Sequence, residues 1–170
     1  MRKKSSSIAM AGMLAALAVV ILYLGSMIEL LDLSASVLGA LAVMVAIVEL
    51  GQGYAWGVYL VAAILSVLLF PRTASVVFAA FVGYYPIAKV YLDRIPVKVV
   101  QYFCKLVLFN LFLFGMLWLC QNILGTENEW ISLGKMLILL GNLCFVVYDF
   151  ALSRLAIFYL VKIKSKMKKH

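Results

Sequence analysis

Long apolar stretches broken only by brief connectors dominate this chain, and they constrain its fold more than any motif does. Cut at charges and at glycine or proline, the apolar segments lie near 7–28, 34–50, 54–70, 74–92, 98–121 and 132–161. A helix needs about 20 apolar residues to cross the hydrocarbon core of a bilayer. In lipid, moreover, a backbone must satisfy its own hydrogen bonds. The connectors are Glu29 to Leu33, Gly51-Gln52-Gly53, Pro71-Arg72-Thr73, Asp93 to Val97 and Asn122 to Ile131. The expectation is an all-α integral membrane protein: a bundle of six transmembrane helices forming a single domain over 1–170, with a basic cytoplasmic tail at 162–170.

Charge supports the same reading. Only 13% of the residues are charged, where a soluble domain carries about 25%, and the mean hydropathy is +1.11. Too few charges remain to wet a globule of this length. The net charge of +8 is concentrated in Arg2-Lys3-Lys4 and in Lys162, Lys164, Lys166, Lys168 and Lys169. The middle is nearly neutral, so no basic face suits a nucleic acid. Basic residues gather on the cytoplasmic side of membrane helices. The N-terminus, the Arg94–Lys98 turn and the tail are basic. The opposite connectors carry Glu29, Asp32, Glu127 and Glu129, with Arg72 as a basic exception and Lys135 just inside the sixth segment. That alternation places both ends in the cytoplasm. The first apolar run, Ile8 to Ile28, exceeds the 7–15 residues of a signal-peptide core, so a retained first helix is expected.

Catalytic chemistry finds no foothold. Cys104, Cys120 and Cys144 all lie in apolar stretches without metal-ligand spacing, and the single histidine is His170. No Ser-His-Asp set, HExxH or phosphate-binding glycine loop is present, so neither an enzyme nor a bound cofactor or metal is expected.

Small residues recur four apart: Ala11/Ala15 and Gly12/Ala16 in the first helix, then Ala35/Gly39, Ala42/Ala46, Gly53/Gly57 and Ala79/Gly83. Such faces let membrane helices approach closely. They serve packing within one bundle or docking of a separate membrane subunit.

A six-helix chain of this length, basic at both ends and beginning Met10-Ala11-Gly12-Met13-Leu14-Ala15-Ala16-Leu17-Ala18, resembles an S component of energy-coupling factor (ECF) transporters. Those are small substrate-capture subunits of prokaryotic cell membranes. The resemblance implies a vitamin-type small-molecule substrate, a coupling transmembrane subunit and two ATPase subunits. It also implies docking through Ala11 and Ala15, with Gly12 and Ala16 as a parallel register. The Glu29–Leu33 loop departs from the family picture, being short for a substrate lid.

Polar residues inside the apolar segments are costly and mark candidate sites. Lys105 lies about 11 Å inward from the start of its helix, and Asp149 about 18 Å inward from the end of its own, at 1.5 Å per residue. A Lys105–Asp149 pair is within reach, with Arg154 nearer the cytoplasm. It would act as a structural clamp or as a coupling or proton-linked site, unless the charges instead reach toward the headgroups. Asn110 and Asn142 are amides in mid-segment, suited to a cross-helix bond or to a cavity. Pro86 should bend the fourth helix after Tyr84 and Tyr85, and Lys89 should reach toward the headgroups. Arg72 and Trp118 belong to the outward side, where aromatic residues also suit the membrane interface. The candidate substrate-binding set is thus Arg72, Tyr84, Tyr85, Asn110, Trp118 and Asn142. The expected function is capture of a small molecule by the outer half of the bundle for an ATP-driven module. The alternative is a non-catalytic scaffold subunit of a cell-envelope complex.

Overall fold

A computed structural model describes residues 2–28, 31–124 and 129–158, with side chains described throughout except at 2, 3, 73, 116–124 and 129–137. The helices are α1 (Arg2–Ser26), α2 (Asp32–Leu50), α3 (Gln52–Leu69), α4 (Thr73–Val77), α5 (Tyr85–Leu92), α6 (Lys98–Leu124) and α7 (Glu129–Phe158), with a π-helical segment, Phe78–Val82, between α4 and α5. No strand occurs among the described residues. Six helical stretches are long and apolar enough to cross a membrane, α4, the π segment and α5 together forming one of them. The architecture is compatible with a multi-pass membrane protein. The described residues form two compact units, one up to Tyr91 and one from Leu92 onward.

In the first unit α2 is the hub, packing on α1, α3, α4 and the π segment. Its buried face is Ala35, Ser36, Gly39, Ala40, Ala42, Val43, Met44 and Ala46, so the backbones beside it come close. A Cβ at Gly25 would overlap the Cβ of Ala35 where α1 meets α2. The fully buried Ser36 hydroxyl lies 2.8 Å from the Ala74 carbonyl of α4 and 2.9 Å from its own Asp32 carbonyl. Its single proton serves one acceptor or is shared between them, which satisfies a buried hydroxyl that would otherwise be costly.

A single residue turns α2 into α3. Gly51 has φ +91°, a conformation that a side chain would strain. Its N–H donates to the Ala46 and Ile47 carbonyls at 3.1 and 3.2 Å, while its carbonyl accepts from Ala55 N–H at 3.2 Å. Gln52 and Gly53 are already helical.

The fourth apolar stretch is interrupted rather than merely bent at its proline. The chain widens into the π segment and turns at Gly83-Tyr84 before α5 begins at Tyr85. Gly83 N–H donates to the Phe78 carbonyl at 2.9 Å. Pro86 falls in the first turn of α5, where its missing N–H leaves no helix bond unmade. Phe78 is fully buried. A Cβ built at Gly39 would stand 3.2 Å from its ring, and one at Gly83 would stand 2.8 Å from it. The ring is therefore held between two glycines, and the Tyr59 hydroxyl donates to the Ala79 carbonyl (2.5 Å) in the widened turn.

The second unit is built on the antiparallel pair α6 and α7. Lys105 faces Asp149, Phe109 stacks on Phe145 with centroids 4.6 Å apart, and Leu113 lies against Gly141. Each step advances four residues along α6 and recedes four along α7, the spacing that keeps contacts on one helix face. Much of the remaining described surface is apolar: Val99, Phe103, Leu111, Phe114, Leu139, Leu143 and Val147 are all exposed.

Candidate functional site

Polar groups concentrate in two places, one in each unit. In the first unit the ends of α1 and α3 and the connector before α4 border an open cavity of about 320 Å³ lined by Tyr23, Ser26, Met27, Phe70 and Arg72. Arg72 Nη1 donates to the Ser26 carbonyl at 3.2 Å. A cation at the last carbonyls of a helix is favourable, because those groups carry the negative end of the helix dipole. The Ser26 hydroxyl donates to the Tyr23 carbonyl at 2.8 Å. The Tyr23 and Phe70 rings meet edge to face with centroids 5.3 Å apart, giving the cavity an aromatic wall.

Tyr84 and Tyr85 do not join Arg72. They lie 12 and 13 residues farther along the chain, beyond the π segment, roughly 18–20 Å away at 1.5 Å per residue. Tyr85 is fully buried and packs on Phe81, while Tyr84 packs on Phe81 and Tyr59. Together with Trp56 against Tyr59 they form an aromatic cluster around the interrupted stretch.

In the second unit Lys105 is 3% exposed and Asp149 is 5% exposed. The Lys105 ammonium stands 3.3 Å from each Asp149 carboxylate oxygen and 2.6 Å from Asp93 Oδ1. Asp93 is partly open to solvent and also accepts from the Gln101 amide. The Tyr102 ring centroid lies 5.6 Å from the ammonium. Asp93 and Gln101 were not legible as members of this cluster. Their place depends on how the chain rises from α5 into α6, and only Gln101, one turn before Lys105, carries a spacing signal. Arg154 is exposed and lies over the Phe150 ring, 5.0 Å from its centroid.

Asn110 and Asn142 pair with each other. Asn110 Nδ2 donates to Asn142 Oδ1 at 2.9 Å, and Asn142 Nδ2 donates back to Asn110 Oδ1 at 3.1 Å. Each Nδ2 also reaches a carbonyl of its own helix at 2.8 Å, Leu106 and Ile138 respectively. Both N–H donors of each amide are thereby engaged within the hairpin. The Trp118 side chain and the tail 162–170 lie outside the described residues.

The two small-residue registers of α1 part company. Ala15 is 3% exposed and belongs to the core with Ala18 and Leu22, and Ala11 packs against that core. Gly12 and Ala16 are exposed, and a Cβ at Gly12 would meet nothing within 4 Å. Among the described residues no three of histidine, cysteine, aspartate and glutamate are grouped as a metal site requires. Comparison with known proteins gives no matching family model, no matching curated protein and no matching solved structure.

Proposed function

We propose that this chain is the substrate-capture membrane subunit of an ATP-driven micronutrient uptake transporter of the energy-coupling factor type. It sits in a prokaryotic cytoplasmic membrane with both ends inside. The observation that carries the reading is the division of α1 into two small-residue faces. Ala15 and Ala18 are used within the bundle, whereas Gly12 and Ala16 are left open. A helix facing only lipid gains nothing by shedding bulk, since acyl chains pack as well on leucine. Small residues favour the close approach of another helix. The open face thus suits a coupling transmembrane subunit, and ATP hydrolysis belongs to separate polypeptides. The basic ends steady the chain at the anionic inner leaflet, and the Arg72 cavity faces the outside as the capture site.

The test is recovery of partners. Tagged protein extracted in mild detergent from its native membrane should bring down a coupling membrane protein and two ATPase subunits. Gly12→Leu and Ala16→Leu should lose them while keeping their helical circular dichroism. Recovery of no ATPase by the wild type would remove the reading.

One observation favours a second reading, a non-catalytic scaffold subunit of a cell-envelope complex. The mid-helix amides suited to a substrate, Asn110 and Asn142, are closed on each other. That reading expects envelope-assembly proteins and no small molecule in the same extraction.

A further inference from the structure

We infer that the cavity between Tyr23 and Arg72 takes a small molecule that joins one oxyanion, a carboxylate or a phosphate, to a flat apolar body. The inference deepens the capture reading and rests on it only for where the ligand comes from. Arg72 presents a planar fork of five donors. Its side chain makes a single hydrogen bond among the described residues, Nη1 to the Ser26 carbonyl. That bond fixes the direction of the fork and, among the described residues, leaves its outer donors to a ligand, which is the preorganisation that favours binding. A guanidinium recognises carboxylate and phosphate through two parallel hydrogen bonds. The carbonyls ending α1 offset part of its charge, so modest affinity is expected.

The rest of the lining is apolar. The Tyr23 and Phe70 rings stand edge to face, and a flat body laid on either continues that packing. Met27, 65% exposed, is a flexible lip that adapts to the shape it covers. The Ser26 hydroxyl is engaged with the Tyr23 carbonyl, leaving the guanidinium as the main polar recognition group. A neutral ligand would desolvate Arg72 without giving it a partner. A volume of about 320 Å³ is at the small end for ligand pockets, which suits a single ring. The same chemistry is offered by a dissolved solute and by the phosphate of an outer-leaflet lipid.

The test measures benzoate and benzamide, equal in shape and differing in charge, against the full chain in phosphatidylcholine nanodiscs. Wild type should bind benzoate saturably and at least about tenfold more tightly than benzamide, the worth of a charge-assisted bond. Arg72→Gln should abolish the preference. Arg72→Lys, which keeps the charge but not the fork, should retain part of it. It also controls for folding if its circular dichroism is unchanged. Phe70→Ala should weaken benzoate while leaving acetate unaffected. Absence of benzoate binding, equal binding of the two probes, or a preference surviving in Arg72→Gln would overturn the inference. Native mass spectrometry assigns the source, and both results support the oxyanion site. A phospholipid held by wild type and released by benzoate points to lipid, and benzoate bound with no lipid held points to a solute. Failure to recover ATPase partners would leave the benzoate preference intact, so the two proposals fail separately.

Discussion

The Lys105 ammonium is shared between two carboxylates, 3.3 Å from the buried Asp149 on α7 and 2.6 Å from the half-exposed Asp93 before α6. This makes the two sides of the pair unequal. Removing the lysine takes the ammonium from a carboxylate at 5% exposure, whereas neutralising Asp149 leaves the lysine with Asp93. Removing the cation of a buried pair costs about 3–5 kcal/mol. Lys105→Ala should therefore destabilise the protein by about that amount, and Asp149→Asn by about 1–2 kcal/mol, the scale of a charged hydrogen bond. Reversible unfolding in mixed detergent micelles reads both, and equal losses would contradict the sharing.

Phe78 gives a second inequality. At Gly39 an added methyl would meet ring carbons at 3.2 and 3.3 Å, and a ring can yield by tenths of an ångström. At Gly83 it would meet both the ring and the Phe78 carbonyl oxygen at 2.8 Å, and the backbone cannot withdraw without undoing the π turn. Gly83→Ala should cost about 1–3 kcal/mol, the range of overpacking, and Gly39→Ala clearly less. Adding Phe78→Leu should relieve the Gly39 variant but not the Gly83 variant. Thermal melts followed by circular dichroism would show the difference.

The reciprocal amides make a prediction about coupling. Interhelical polar pairs in membranes average about 0.6 kcal/mol and reach about 1.7 kcal/mol. A double-mutant cycle over Asn110→Ala and Asn142→Ala should return a coupling energy in that interval, read from unfolding in detergent. Because the pair is closed, neither variant should alter small-molecule binding. A variant that changes ligand affinity without changing stability would assign the amides to a site instead.

How far the sequence carries can be read from individual residues. The apolar segments located the helices, because apolar runs of about 20 residues between charged or glycine and proline breaks suit a long helix. Counting residues inward from the segment ends put Lys105 and Asp149 at pairing depth, and both are met there. Asp93 escaped because it sits on a connector, whose path no periodicity records. The fourth segment read as one helix bent at Pro86, yet the break lies upstream. There the Gly83 N–H reaches back five residues to the Phe78 carbonyl, between residues whose pattern looks like ordinary small-residue packing. Gly51-Gln52-Gly53 read as a three-residue turn, and Gly51 alone suffices because its φ is positive. The substrate set drawn from polar and aromatic residues is dispersed: Arg72 sits at its cavity, the tyrosines in an aromatic cluster, the asparagines on each other. Residue type shows what a side chain can do and leaves open whether its partners converge.

The first helix yields the last test, because a small-xxx-small pattern marks two faces at once and cannot say which one the bundle takes. Ala15 is buried beside Ala18 and Leu22, while Ala16, one residue on, is exposed. The chain rotates by about 100° per residue in a 3.6-residue turn, enough to move a side chain from one face to the other. Leucine at 15 must push α2 or α3 away from α1, at an overpacking cost of about 1–3 kcal/mol. Leucine at 16 meets no such obstacle and should change the stability of the isolated chain by no more than about 0.5 kcal/mol. Docking measured with Ala15→Leu would therefore report a damaged fold, and Ala16→Leu is the variant that isolates the outer face. Equal unfolding midpoints for the two variants in detergent would mean that α1 is rotated from the orientation described.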